Sequence, residues 1–121
     1  TAQLCGLGGY EYRDNKTGLQ GRDPSNACLP VGPVGRTYRG PAKPLALHDG
    51  ANAVSIEARA FEDVVVWNPG LDPQFHDLPP DAWRQFLCVE AAQVNRPVTL
   101  DSGEQWSGAQ RLRTLVSRDI A

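Results

Sequence analysis

Glycine and proline interrupt the first forty residues so often that no helix of ordinary length fits there. Gly6, Gly8, Gly9, Gly18, Gly21, Pro24, Pro30, Gly32, Pro33, Gly35, Gly40 and Pro41 fall within one third of the chain. Glycine costs a helix backbone entropy, and proline removes a donor and clashes with the preceding turn. Over the whole chain these two types make up 22 of 121 residues, about 18% against roughly 12% in average usage. Many short elements joined by turns are therefore expected. A hydrophobic content of 40% is enough to build a core, so one folded domain, or part of one, is the prior.

The periodicity of the remaining segments is that of strands. Tyr10 and Tyr12 alternate with Glu11 and Arg13 before the turn-forming Asp14-Asn15-Lys16-Thr17-Gly18, a short exposed strand running into a loop. Leu45-Ala46-Leu47-His48 and Ala53–Arg59 flank Asp49-Gly50-Ala51-Asn52 and predict a hairpin. In its second arm Val54, Ile56 and Ala58 share one face. Asp63-Val64-Val65-Val66-Trp67-Asn68, closed by Pro69-Gly70, is a continuous β-branched run of the kind covered on both faces. Pro79-Pro80-Asp81 starts a single helical turn through Ala82-Trp83-Arg84. Periodicity alone leaves Phe86 to Val94 open between helix and strand. Its short bulky start and the stop at Arg96-Pro97 favour strand. A terminal hairpin is expected, with Val98-Thr99-Leu100 and Gln105 to Val116 as its arms and Asp101-Ser102-Gly103-Glu104 as its turn. The fold class expected is all-β, an antiparallel β-sandwich.

Charge and cysteine content narrow the function. Fourteen acidic and twelve basic side chains leave a net charge of −2 without blocks of either sign, which argues against nucleic-acid binding. No apolar run approaches the length that spans a bilayer, and the first residues lack the pattern of an export signal, so no membrane partner and a cytoplasmic location are expected. Cys5, Cys28 and Cys88 match no CxxC arrangement and are expected to be reduced thiols. The chain contains no methionine and opens at Thr1, which points to a piece of a longer protein.

Few residues carry chemistry. On a strand, Cys88, Glu90 and Ala92 point one way and Val89 and Ala91 the other. A carboxylate between small neighbours is partly desolvated, which raises its pKa and suits Glu90 to proton transfer. A solvated residue at the sheet rim is the alternative. Trp67-Asn68 pairs an aromatic face with an amide, able to stack on a sugar ring and hydrogen-bond its hydroxyls, or equally to serve as a core Trp with a turn-capping Asn. His48-Asp49 and His76-Asp77 do not supply the three or four convergent ligands that a metal needs, and none is expected. Cys88 has no histidine at recognisable spacing and is expected to be a small buried apolar residue. Arg36, Arg39 and Lys43 form a loose basic group that could meet a phosphate, but solvated loop charges are the simpler account.

The order of the segments is more specific than any one of them. Asp63-Val64-Val65-Val66-Trp67-Asn68-Pro69-Gly70, Asp77-Leu78-Pro79-Pro80-Asp81, Phe86-Leu87-Cys88-Val89-Glu90-Ala91-Ala92, Pro97-Val98-Thr99-Leu100 and Gly103-Glu104-Gln105-Trp106-Ser107-Gly108 resemble the C-terminal half of the glucose-6-phosphate 1-epimerases. These are hexose-6-phosphate mutarotases of the galactose-mutarotase-like superfamily. Gly6-Leu7-Gly8-Gly9-Tyr10 with Asp14, and Val34-Gly35-Arg36-Thr37-Tyr38, are similar to the two motifs that precede those segments. The resemblance implies that residues 1–121 are the C-terminal part of one large sandwich domain. It also implies interconversion of the α and β anomers of a hexose 6-phosphate without cofactor, with a small-molecule sugar phosphate as partner; the sequence leaves the oligomeric state open, a monomer being slightly favoured for the parent. Glu90 inherits the role of general base, and Arg36, Trp67 and Asn68 are candidates for substrate binding. The family's acid histidine and phosphate-holding arginines lie on segments upstream of Gly6. Relatives commonly read Val-Asp-Arg-Val-Tyr where this chain has Val34-Gly35-Arg36-Thr37-Tyr38, so the sugar contact of their Asp is lost at Gly35. A non-catalytic sugar-phosphate-binding module on the same fold is the alternative.

Overall fold

The computed structural model describes residues 2–41, 43–72, 74 and 76–116. Ten strands are found among them: β1 (Gln3–Cys5), β2 (Glu11–Asp14), β3 (Gln20–Arg22), β4 (Cys28–Pro30), β5 (Val34–Arg39), β6 (Leu45–Asp49), β7 (Asn52–Arg59), β8 (Asp63–Asn68), β9 (Cys88–Ala92) and β10 (Ala109–Leu115). One 3-10 turn, Ala82–Gln85, sits between β8 and β9, where the Pro-Pro-Asp start predicts it. The strands form two five-stranded sheets in the orders β10-β7-β6-β1-β4 and β3-β2-β5-β8-β9. Every pairing is antiparallel. The two sheets pack as a sandwich, the architecture expected.

The core lies between the sheets. Leu4, Leu45 and Ile56 of the first meet Tyr38, Val64 and Val66 of the second, and all six are buried. The predicted hairpin is β6–β7, with Asp49 opposite Asn52. Gly50 takes φ 60° at the first position of its two-residue loop, where a type II′ turn calls for glycine. Gly8 allows a second close approach: a Cβ there would lie 2.3 Å from the Pro24 carbonyl oxygen.

Three expectations are corrected. Cys5 and Cys28 are not free thiols. Their strands pair in register with Cα atoms 4.4 Å apart, and the two sulfurs form a disulfide. That spacing is typical of a non-hydrogen-bonded antiparallel pair, created by a strand pairing that no cysteine spacing signals. Cys88 alone is free, and it is half-buried. Secondly, β8 is covered on one face only. Val64, Val66 and Asn68 face the core, whereas Val65 and Trp67 on the opposite face are half-exposed, because the described residues place no layer over that side. Thirdly, the terminal hairpin does not form. The turn is present, with the Glu104 N–H donating to the Asp101 carbonyl at 3.0 Å, but residues 97–108 are not strand. β10 instead pairs with β7 through seven registered positions. The long edge of β7 offers more ladder hydrogen bonds than the short Val98–Leu100 arm could.

The seam between the sheets is open beside β9 and β10. Leu112 pairs with the buried Ile56 and so faces the same way, yet it is 63% exposed. Gln110, on the same face, spans the seam by donating from Nε2 to the Val89 carbonyl at 2.9 Å. Among the described residues no helix is long and apolar enough to cross a membrane.

Candidate functional site

Glu90 stands on the outer face of the second sheet. The registers place Arg13 opposite Thr37, Thr37 opposite Val65 and Val65 opposite Glu90, a row crossing β2, β5, β8 and β9. Registered partners project to the same side of a sheet. The next row on this face carries Gly35, Trp67 and Cys88, and the row beyond Glu90 carries Arg39, Asp63 and Ala92. Trp67 is thus a diagonal neighbour of Glu90, and its ring lies 6.2 Å from that of Phe86. The Glu90 residue is exposed while Cys88 and Ala92 beside it are half-buried, so the partial burial expected for it is not met in this chain. The Cys88 thiol is pushed up by burial and then by the Glu90 carboxylate. The thiolate is correspondingly disfavoured, which makes Cys88 a poor nucleophile.

Both ends of β9 are tied to β8 by buried polar side chains. Asn68 is 2% exposed; its Nδ2 donates to the Trp83 carbonyl at 2.7 Å and the Phe86 carbonyl at 2.8 Å, and its Oδ1 accepts from the Gly70 N–H at 2.8 Å. At the other end of β8, Asp63 is also 2% exposed. Its Oδ2 accepts from the Val94 N–H at 2.7 Å and the Asn95 N–H at 2.9 Å, and its Oδ1 from Asn95 Nδ2 at 2.8 Å. Burial pushes the Asp63 carboxyl upward, but the donors of Asn95 and Val94 and the field of Arg39 outweigh it and leave its pKa lowered. These two clamps hold the strand that carries Glu90.

The structure divides the expected site. Glu90 and Trp67 share the outer face. Asn68 does not join them: it points toward the core, with both amide hydrogens committed to the loop before β9, and so takes the turn-capping role. Arg36 is likewise on the core-facing side, registered with Val66. Its Nη1 donates to Asp23 Oδ2 and to the Tyr38 hydroxyl, both at 3.0 Å, and its guanidinium lies 3.9 Å from the centre of the Tyr12 ring. Burial lowers the Arg36 pKa, yet Tyr38, Tyr12 and Asp23 together leave it raised. The basic group of Arg36, Arg39 and Lys43 is thereby split, because consecutive odd and even positions of β5 face opposite ways.

A cavity of about 700 Å³ opens in the loop after β8, against Leu71, Asp72, His76, Pro79 and Trp83. Glu90 is not among the residues lining it, and Asp72 Oδ1 is occupied by the Gln74 N–H at 2.9 Å. Among the described residues no group of three His, Cys, Asp or Glu side chains is arranged to hold a metal ion. Asp63 and Asn95 were not legible as site residues in the sequence.

A family model described as aldose 1-epimerase matches residues 24–113. The chain belongs to the aldose 1-epimerase family. It is 28% identical over 117 residues to a protein of Cenchrus ciliaris named "Putative glucose-6-phosphate 1-epimerase", a match covering 93% of this chain and 36% of the relative. The chain therefore spans little more than a third of that relative's length. No solved structure matches it. The region matched by the aldose 1-epimerase model includes Glu90, Trp67 and both clamps of β9.

Proposed function

We propose that this chain is the C-terminal part of a mutarotase that interconverts the α and β anomers of a hexose 6-phosphate, with Glu90 as general base. The observation that carries this is the placement of Glu90 beside Trp67 on the open face of the second sheet, in a chain of the aldose 1-epimerase family. Glu90 takes the proton of the anomeric hydroxyl while an acid outside these residues protonates the ring oxygen. The ring opens to the aldehyde, the C1 end rotates, and closure on the other face reverses both transfers. Trp67 offers its ring face to the sugar. A carboxylate base paired with an acid is sufficient for this step because one proton moves at each oxygen and no electrons leave the sugar. The hexose 6-phosphate substrate is supported by the likeness to the Cenchrus ciliaris protein and by the motif order of Val64 to Ala92.

The test is Glu90→Gln in the full-length protein, with anomer exchange followed by polarimetry or exchange NMR. Loss of a positioned proton transfer is expected to slow the reaction by about two to four orders of magnitude. A variant that exchanges anomers at the full rate removes Glu90 from the chemistry. Sugar-phosphate binding without rate enhancement by the unmutated protein would instead favour the binding module.

A further inference from the structure

The two clamps hold β9 at its ends, but Glu90 stands at the middle of the strand. Among the described residues β9 is the edge of its sheet and pairs with β8 alone. An edge strand leaves one row of its backbone groups without a ladder partner, so its middle is free to twist about the pairing that remains. Val89, the residue before Glu90, packs against the core, and its carbonyl accepts from Gln110 Nε2 at 2.9 Å. Gln110 belongs to β10, at the edge of the other sheet. The Val89 carbonyl and the Glu90 N–H lie in one planar peptide unit. A donor fixed on that carbonyl therefore sets the plane from which the Glu90 side chain departs.

The chain before β10 brings Gln110 to that carbonyl. The Asp101 N–H donates to Glu104 Oε1 at 2.9 Å and the Glu104 N–H donates to the Asp101 carbonyl at 3.0 Å, which closes the turn. Two residues on, the Trp106 ring stands edge to face with Phe61, 5.1 Å between centres at 81°, a favoured geometry for an aromatic pair. Phe61 lies between β7 and β8, so this contact ties the segment to the point where the chain passes from one sheet to the other. Gly108 leaves room for the pair: a Cβ there would fall 2.6 Å from Phe61 Cε2 and 3.1 Å from the Arg59 carbonyl oxygen. Ala109 then stands opposite Arg59 and Gln110 opposite Ala58, which fixes the side on which Gln110 projects. Residues 103–108 take no part in the site itself; they set the register of β10.

We infer that Gln110 is a positioning residue for the reaction: it holds the Val89–Glu90 peptide in the orientation that aims the Glu90 carboxylate at the sugar. The inference rests on Glu90 being the base. Gln110 is exposed, so its bond adds little to folding, because water replaces it when it is lost. Proton transfer is more demanding. The base must lie within hydrogen-bond reach of the anomeric hydroxyl, and a misplacement of about 1 Å slows a reaction by up to about a hundredfold.

Gln110→Met, Gln110→Glu, Glu90→Gln and the double variant Gln110→Met/Glu90→Gln are compared with the wild type as full-length proteins. Methionine keeps the length of the side chain without a donor; glutamate keeps its shape and, as a carboxylate, cannot donate. Exchange NMR of glucose 6-phosphate anomers over a range of concentrations separates kcat from KM. Isotope labels on valine carbonyls and glutamate nitrogens report the Val89–Glu90 peptide directly. Both Gln110 variants are expected to lower kcat about tenfold to a hundredfold, with KM and the urea midpoint unchanged, and to move the Val89 carbonyl resonance. The double variant should be no slower than Glu90→Gln, since a residue that acts through the base has nothing left to position. Full kcat in the Gln110 variants beside a slow Glu90→Gln overturns the positioning role and leaves the base standing. A raised KM at unchanged kcat, or a further loss in the double variant, also overturns it, because Gln110 would then act on binding or independently of Glu90. Full-rate exchange by Glu90→Gln marks the other failure: the base is wrong, and the role of Gln110 falls with it.

Discussion

Replacing Asp63 by alanine should destabilise the protein by about 3 kcal/mol, because it removes the acceptor for three hydrogen bonds at the end of β9. The carboxylate, 2% exposed, receives two backbone N–H groups and one amide at 2.7–2.9 Å. Each hydrogen bond to a charged group contributes about 1.5–3 kcal/mol. The sum is not reached, because Val94 is exposed and Asn95 half-buried, so their freed donors regain water. Asp63→Asn should cost less, about 1–2 kcal/mol, since its carbonyl can still accept from the two backbone donors. Its amide would then face that of Asn95. The pH dependence gives a second readout. The folded pKa is lowered from an unfolded value of about 3.9. Asp63 therefore contributes its full stabilisation above about pH 4 and loses it as pH falls through the folded pKa. Urea denaturation of the full-length protein at pH 7 and at intervals below pH 4 should show the wild-type and Asp63→Ala curves converging in acid. A difference below about 0.5 kcal/mol at pH 7, or a gap that widens in acid, would refute the clamp.

At the other end of β8, Asn68→Ala should cost about 2–4 kcal/mol, with faster amide hydrogen exchange confined to residues 69–88; uniform exchange across both sheets would contradict a local role. Gly35→Asp should fold normally, since a Cβ there meets only Trp67 Cδ1 at 3.8 Å. It should alter the KM for the sugar, because the new carboxylate stands in the row of Trp67, and an unchanged KM would place the sugar elsewhere. Thiol titration of denatured, unreduced protein should find Cys5 and Cys28 unreactive. Replacing both with serine should cost about 3 kcal/mol for a loop of 23 residues, and two additional titratable thiols in the wild type would exclude the bridge.

Local chemistry alone made much of this protein legible. The β-branched run of β8, the glycine turn of the β6–β7 hairpin and the proline start of the 3-10 turn each depend on neighbours within a few residues. Alternation also showed that Cys88, Glu90 and Ala92 share a face, and the motif order pointed to the family. Strand periodicity states which residues lie together but not which side another sheet will cover. Only packing decided that Arg36 and Asn68 turn toward the core and leave Trp67 and Glu90 on the open side. The Cys5–Cys28 bridge and the pairing of β10 with β7 likewise depend on strands brought together across long stretches of chain. Such contacts are set by burial and register in three dimensions, and the spacing of residues along the chain carries no trace of them.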